Sequence, residues 1–148
     1  NGLLLPAGPL RESKKRLKSV DFIINNGSHM EGEISSKIEA NCYINLATNE
    51  KKDLDFFKSK KCFAIAGIGN PDNFYSLLEE LGVNLVTKTF VDHHKFIEKD
   101  FDFKGDYPIL MTAKDCVKCK QFATSQMWYL SVDAKISSDF YQQLESKL

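Results

Sequence analysis

The chain has 148 residues, 20 basic and 20 acidic side chains, and 43% hydrophobic residues. This length suits one domain with its own core, and the hydrophobic content excludes a disordered chain. No apolar run approaches the roughly 20 residues that a transmembrane helix needs. The balanced charge does not indicate a nucleic-acid-binding protein.

The first half of the chain predicts three strands. The sequence begins at Asn1 in mid-pattern, so we expect a fragment of a longer protein. Residues 20–25 read as a short buried strand, and residues 61–66, an apolar run without alternation, read as a strand covered on both faces. Residues 38–46 alternate, which predicts a half-buried strand. Its predicted inner face consists of Ile38, Ala40, Cys42, Ile44 and Leu46.

The clearest predicted helix follows residues 61–66. Asn70 is the expected N-cap, Pro71 suits the first turn and Gly82 the position after the end. Between them lies an apolar stripe with the spacing of one helix face. The stripe consists of Phe74, Leu77, Leu78 and Leu81.

The second half continues the alternation of strands and helices. Strands are predicted at 83–91, 107–112 and 127–132. Thr112 followed by Asp115 resembles a capping box at the start of a helix. Ser137 or Ser138 should cap a terminal helix with an apolar stripe. That stripe consists of Phe140, Leu144 and Leu148.

This order predicts an α/β fold, a mostly parallel sheet flanked by helices in a Rossmann-like lobe. Residues 36–47 can add an antiparallel extension. The AGIGNP stretch at 66–71 joins a strand to a helix start, where a Gly turn can be structural or can bind phosphate. It is not a Walker A loop, because no G-K-[ST] follows.

Asp92, His93 and His94 follow a predicted strand, where α/β folds place ligand sites. A carboxylate can orient one imidazole for work near neutral pH. Two alternatives remain at this point: exposed loop histidines on a non-catalytic binding module, or a metal-dependent phosphoesterase of the Asp-His-His type. The phosphoesterase needs further aspartates, for which Asp102 and Asp106 are the nearest candidates.

The four cysteines include one C-x-x-C pair, Cys116 and Cys119. A structural zinc site needs four ligands, and no second pair exists. A redox pair should begin a helix after a strand, whereas this one falls inside a predicted helix. We therefore expect free thiols in a reducing cytosol.

Five segments occur in an order that resembles the C-terminal half of the tetraacyldisaccharide 4′-kinases, the lipid A 4′-kinases of Gram-negative bacteria. The segments are LLPAGPLRE (4–12), VDFIINNG (20–27), FAIAGIGNP (63–71), FVDHH (90–94) and LMTAKDCVKC (110–119). The resemblance covers nearly the whole chain. It implies a two-lobe P-loop kinase at the cytoplasmic face of the inner membrane, with residues 1–35 as inter-lobe segment and first strand and 36–148 as main sheet and helices.

The resemblance also implies cofactors, partners and residue roles. ATP and Mg²⁺ serve phosphoryl transfer to the 4′-hydroxyl of a lipid-linked glucosamine disaccharide. The P-loop, the metal ligands and the membrane-docking elements belong to the other lobe, so this chain alone should be inactive. Arg11 and Glu12 match the segment that enters the nucleotide cleft. His93 matches a catalytic position that Asp92 can orient. Ala113 departs from the family, which often has glutamate there.

Overall fold

The computed structural model describes residues 3–8, 10–27 and 33–147, and for residues 138 and 139 it describes the backbone alone. The described residues form an α/β fold around a seven-stranded sheet with the order β1-β2-β7-β6-β4-β5, in which β3 pairs with β2. The strands are β1 (Ile24–Asn26), β2 (Ile34–Asn45), β3 (Lys51–Lys52), β4 (Lys61–Ala66), β5 (Asn84–Thr89), β6 (Ile109–Thr112) and β7 (Met127–Ile136). The α-helices are α1 (Pro71–Glu80), α2 (Ala113–Cys119) and α3 (Ser138–Glu145).

Most of the strand pairs are parallel, as predicted. β4 pairs in parallel with β5 and with β6, β6 pairs in parallel with β7, and β1 pairs in parallel with β2. β2, which covers most of the region where the sequence suggested an antiparallel extension, pairs antiparallel with β3. By internal packing the chain divides into two compact units, residues 1–38 with 134–148 and residues 39–133.

β4 is buried on both faces, which explains its continuous apolar sequence. Cys62, Ala64 and Ala66 lie in one core cluster, which also holds Leu78 of α1. Phe63 and Ile65 point into a second cluster. The second cluster further includes residues of α2, namely Cys116 and Cys119. One cluster therefore packs under α1 and the other under α2, so both helices are held against the strands that lead to the candidate site.

Helix α1 agrees with its predicted stripe and differs at its cap. Phe74 and Leu78 are buried, and Leu77 and Leu81 pack against the same cluster. Gly82 follows the helix with φ of +77°, a left-handed conformation that glycine adopts without strain. Asn70 occupies the N-cap position, but its side chain makes no capping hydrogen bond. That detail of the prediction was wrong.

The face assignment of β2 was also wrong. Tyr43 and Asn45, predicted to face outward, are 0% and 2% exposed, whereas Ile38 is 37% exposed. The Tyr43 ring packs edge-on against Phe57 at 4.8 Å. The Asn45 carboxamide oxygen accepts the N–H groups of the following turn, and its amide donates to a backbone carbonyl. Aromatic packing and turn capping thus outweigh the simple alternation.

The two ends of the chain differ from the predictions as well. β1 begins only at Ile24, and it is largely exposed instead of buried. A short 3-10 helix at Lys14–Ser19 precedes it. Ser137 takes the N-cap position of α3 without a side-chain bond. Phe140 packs edge-on against Phe22 at 5.2 Å, and Leu148 lies outside the described residues. No helix within the described ranges is long and apolar enough to span a membrane.

Substitution of Leu78 tests the α1 packing. Leu78 is 0% exposed, so Leu78→Ala should lower the free energy of unfolding by roughly 2–5 kcal/mol. The control Val117→Ala removes methyl groups from a side chain that is 64% exposed and should change it by less than about 0.5 kcal/mol. Urea unfolding followed by circular dichroism measures both. A chain without a cooperative transition, or equal losses in both variants, would contradict the assigned core.

Candidate functional site

Polar side chains gather at one edge of the sheet. β4 and β5 run in parallel and end in register at Ala66 and Thr89, and β6, parallel to β4, ends at Thr112. The three carboxyl ends therefore lie at the same edge. They lead into the Gly67–Asn70 turn, the 90–97 loop and the first turn of α2. This is the edge where parallel α/β sheets place their ligand sites.

Asp92 and His93 stand next to each other on the loop after β5. His93 has a φ of +61°, a left-handed conformation that is uncommon for residues other than glycine. Its backbone N–H donates to Asp92 Oδ1 at 3.0 Å. Its Nε2 lies 3.7 Å from Asp92 Oδ2, and the side chain is 77% exposed. The imidazole is thus presented to solvent beside a carboxylate.

Asp92 has a second, cationic neighbour. Lys114, in the first turn of α2, places its Nζ 3.3 Å from Asp92 Oδ1. Partial desolvation works to raise the pKa of Asp92, but the hydrogen bond from Lys114 and the electrostatic interactions with His93 and Lys114 outweigh it. The pKa of Asp92 is therefore lowered, and this residue is a carboxylate at neutral pH.

His94 is held in a different way from His93. Its Nε2 is 2.8 Å from Asp100 Oδ2, and its side chain is 26% exposed. The ring stacks on Phe90 with 4.6 Å between centroids and meets the edge of Phe96 at 4.9 Å. Partial desolvation acts to raise the pKa of Asp100, yet the hydrogen bonds from His94 and Ile97 lower it overall. These contacts give His94 a structural role in the loop.

A buried carboxylate joins the segments on which the site is built. Asp115 is fully buried, and its Oδ2 accepts from the Gly67 N–H and the Thr112 hydroxyl, both at 2.9 Å. Lys118 donates to Oδ1 at 2.8 Å. In return, the Thr112 Oγ1 accepts the Asp115 N–H at 3.1 Å and caps α2. The turn after β4 and the start of α2 are therefore joined through one side chain.

Gly67 allows this close approach. A Cβ at this position would lie 3.2 Å from Phe96 Cζ, 3.3 Å from Asp115 Oδ1 and 3.5 Å from His94 Cβ. The turn after β4 thus packs directly against the loop that carries the histidines. The Gly67 N–H already donates to the Asp115 carboxylate. Of the two interpretations of the AGIGNP stretch, this arrangement fits the structural turn.

Arg11 and Glu12 lie in the other compact unit, which holds residues 1–38 and 134–148. Both side chains are exposed. Glu12 pairs with Arg16 across an N–O distance of 3.5 Å, and both partners are mostly exposed. These two predicted nucleotide-binding residues therefore belong to one compact unit, and Asp92 and His93 belong to the other.

The cysteines agree with the expectation of free thiols. Cys42, Cys62, Cys116 and Cys119 form no disulfide. The C-x-x-C pair lies inside α2 and is buried. Burial raises the pKa of Cys119 to about 12, so it is a thiol and not a thiolate at neutral pH. The described ranges contain no group of three or more His, Cys, Asp or Glu side chains that could hold a metal ion.

Sequence reasoning left Lys114 and Asp115 outside the predicted site. It treated them, with Thr112, as a possible helix start, and that part is confirmed by the Thr112 cap. Their further contacts, to Asp92 and to Gly67, join segments 22 and 48 residues apart. A signal was present, because a polar Thr-x-Lys-Asp run directly follows a buried strand at the edge that carries Asp92.

The fold and the site define an α/β domain with a histidine and a carboxylate at the carboxyl edge of a parallel sheet. A sequence model of the Tetraacyldisaccharide-1-P 4′-kinase family (LpxK) matches residues 1–148. The chain belongs to this family.

Individual relatives agree with this assignment. The Tetraacyldisaccharide 4′-kinase of Ruthia magnifica is 51% identical over 100% of this chain and 47% of its own length. That of Hahella chejuensis is 39% identical over 100% of this chain and 44% of its own length. The chain thus spans about half the length of the curated relatives it matches.

A solved structure shares the fold. The ATP complex of the "apo" form of LpxK from Aquifex aeolicus aligns with a TM-score of 0.64 and 24% identity, over 95% of this chain and 46% of that one.

The buried pair Asp115–Lys118 has an exposed counterpart with the same spacing, Asp55–Lys58, in which Asp55 is 86% exposed. Asp115→Ala leaves the Gly67 N–H and the Thr112 hydroxyl without their acceptor and removes the carboxylate that pairs with Lys118. It should cost about 3–5 kcal/mol of unfolding free energy. Asp55→Ala should cost less than about 1 kcal/mol. Chemical denaturation of both variants measures the difference. Similar small losses would show that Asp115 does not hold the turn and α2 together.

Proposed function

We propose that this chain is the C-terminal α/β lobe of a two-lobe P-loop kinase, with residues 1–35 as inter-lobe segment and first strand and 36–148 as main sheet and helices. The complete enzyme transfers the γ-phosphate of ATP to the 4′-hydroxyl of a tetraacylated glucosamine disaccharide in lipid A biosynthesis. The observation that carries this proposal is the family match over residues 1–148. Family membership, not the lack of a metal cluster, favours a kinase over a phosphoesterase or a binding module.

His93 is the proposed catalytic residue. Enzymatic phosphoryl transfer depends mostly on positioning and on stabilising developing charge. The exposed imidazole, with Asp92 Oδ2 3.7 Å from its Nε2, can hold or pass a proton where a hydroxyl or a carboxylate of the other lobe approaches. Asp92, next to the ring, favours its orientation. General acid–base help of this kind is worth roughly 10²–10⁴-fold in rate.

ATP supplies the phosphoryl group, and Mg²⁺ supplies charge neutralisation when bound. The described residues do not fit a Mg²⁺ site, since they contain no cluster of three potential ligands and the Asp92 carboxylate already pairs with Lys114. The other lobe therefore holds the metal in this proposal. Arg11 and Glu12, both exposed, contact the nucleotide from the inter-lobe segment, where a guanidinium suits phosphate oxygens.

The proposed enzyme works peripherally at the cytoplasmic face of the bacterial inner membrane. Its partners are the lipid disaccharide and, through the other lobe, the membrane surface, with no nucleic acid involved.

The chain by itself should have no kinase activity, because its sequence contains no G-x-x-x-x-G-K-[ST] loop to cradle the phosphates. A chimera should have activity if it joins this chain to the part of the Ruthia magnifica relative that the chain does not cover. Transfer of radiolabelled phosphate from ATP to a tetraacyldisaccharide 1-phosphate measures both proteins. Activity in the isolated chain, or a folded but inactive chimera, would overturn the proposal.

The two histidines should respond differently to the same substitution. In the chimera, His93→Asn keeps a residue that tolerates the left-handed backbone and should lower kcat by roughly 100-fold or more. The KM for ATP and the free energy of unfolding should stay close to those of the native sequence. His94→Asn should instead lower the stability, because it removes two aromatic ring contacts and alters the bond to Asp100, and should lower kcat less.

Steady-state kinetics, measured under conditions where all variants are folded, and denaturant titrations through the unfolding transition separate these effects. A near-native kcat for His93→Asn, or a larger kcat loss for His94→Asn, would transfer the catalytic role from His93 to His94 or remove it from this loop.

A further inference from the structure

We propose that Lys114 is a positioning residue that acts on His93 through the carboxylate of Asp92. The inference rests on the proposed function, since it assigns Lys114 a part in the same site. It goes further by naming the group that holds the catalytic loop in place and by giving Lys114 no contact of its own with substrate.

The three groups form a short relay with divided contacts. Lys114 Nζ lies 3.3 Å from Asp92 Oδ1, and the same oxygen accepts the backbone N–H of His93 at 3.0 Å. The other oxygen, Oδ2, faces the His93 ring, with its Nε2 at 3.7 Å. The ammonium therefore draws one oxygen toward the backbone and leaves the other beside the imidazole. Without it, the carboxylate can rotate and the loop loses its anchor to α2.

Lys114 is suited to this task because its own position is firmly set. It lies between Thr112, which caps α2, and Asp115, which is fully buried and bound to the Gly67 N–H. His93 by contrast is exposed and has a strained left-handed backbone. The contact from Lys114, at the fixed start of α2, to Asp92 therefore restricts the motion of the exposed loop and of the His93 imidazole.

An alternative role for the same side chain is direct contact with a phosphate. The Lys114 side chain is 50% exposed, so accessibility does not decide between the two roles. The two roles differ in their dependence on Asp92, because a relay needs the Asp92 carboxylate whereas a direct contact with phosphate does not. A double-mutant cycle measures this dependence.

The kinetic test uses the chimera with Lys114→Met, Lys114→Arg, Asp92→Asn and the double variant Asp92→Asn/Lys114→Met. Lys114→Met should lower kcat by roughly tenfold, within the range of coupling between contacting residues, and leave the KM for ATP within about twofold. Lys114→Arg should restore most of the rate. The double variant should be no slower than Asp92→Asn. Lys120→Met, which removes the same charge from the residue that follows α2, is the control and should keep the native rate.

Two kinetic results would overturn the proposal. Additive losses in the double variant would mean that Lys114 acts without Asp92. A rise in the KM for ATP at constant kcat would mean that Lys114 binds the nucleotide directly.

A second measurement does not need kinase activity, so failure of the proposed function is distinguishable from failure of this inference. Carboxyl-carbon NMR of the labelled chain follows the titration of Asp92, which Lys114 faces from α2 and His93 from its own loop. In Lys114→Met the pKa of Asp92 should rise toward its ordinary value, and the His93 amide resonance should shift. An Asp92 titration that is the same in both proteins would overturn the relay even if the chimera proves inactive.

Discussion

The buried carboxylate of Asp115 is the contact on which the site depends. Burial of a lone charge costs several kcal/mol, and this cost is offset only when the remaining acceptor positions are filled. Asp115 fills them with the Gly67 N–H, the Thr112 hydroxyl and the Lys118 ammonium. Because these donors come from the turn after β4, the end of β6 and α2, the carboxylate fixes the relative positions of three segments. A hydrophobic residue of similar size would fill the space without setting them.

The different surroundings of the two adjacent histidines follow from the fixed position of the turn after β4. Gly67 lies against Phe96 and the His94 Cβ, so His94 is held between the turn below it, two phenylalanine rings and Asp100. The His93 backbone is left-handed, and the His93 ring is exposed beside the carboxylate of Asp92, which also contacts Lys114. One histidine thus contributes to packing and the next is presented to solvent. The sequence DHH does not distinguish them, whereas the backbone angle does.

The sequence predicted the elements whose burial pattern is set locally. β4 is one example, because both of its faces are covered and its sequence is therefore a continuous apolar run. Helix α1 is another, because its apolar stripe, Pro71 and Gly82 all predict the same helix. Prediction failed at β2, where Tyr43 packs against Phe57 beyond the next strand and Asn45 donates to the Ser125 carbonyl, 80 residues along the chain. The site divides in the same way: Asp92 and His93 adjoin in sequence, whereas the Lys114 contact spans 22 residues and requires the parallel order of β4, β5 and β6.

In the proposed function, the exposure of His93 suits a residue whose contacts form during the reaction. A side chain that is 77% exposed makes few contacts in this chain, so little interaction energy has to be given up when it meets a substrate or another part of the enzyme. Only interactions that strengthen in the transition state raise kcat. The loop must then orient the His93 imidazole without burying it, since an imidazole that is free to rotate would lose much of the advantage of positioning. A surface ion pair contributes little to stability, so the Asp92–Lys114 contact is better explained by orientation than by folding energy.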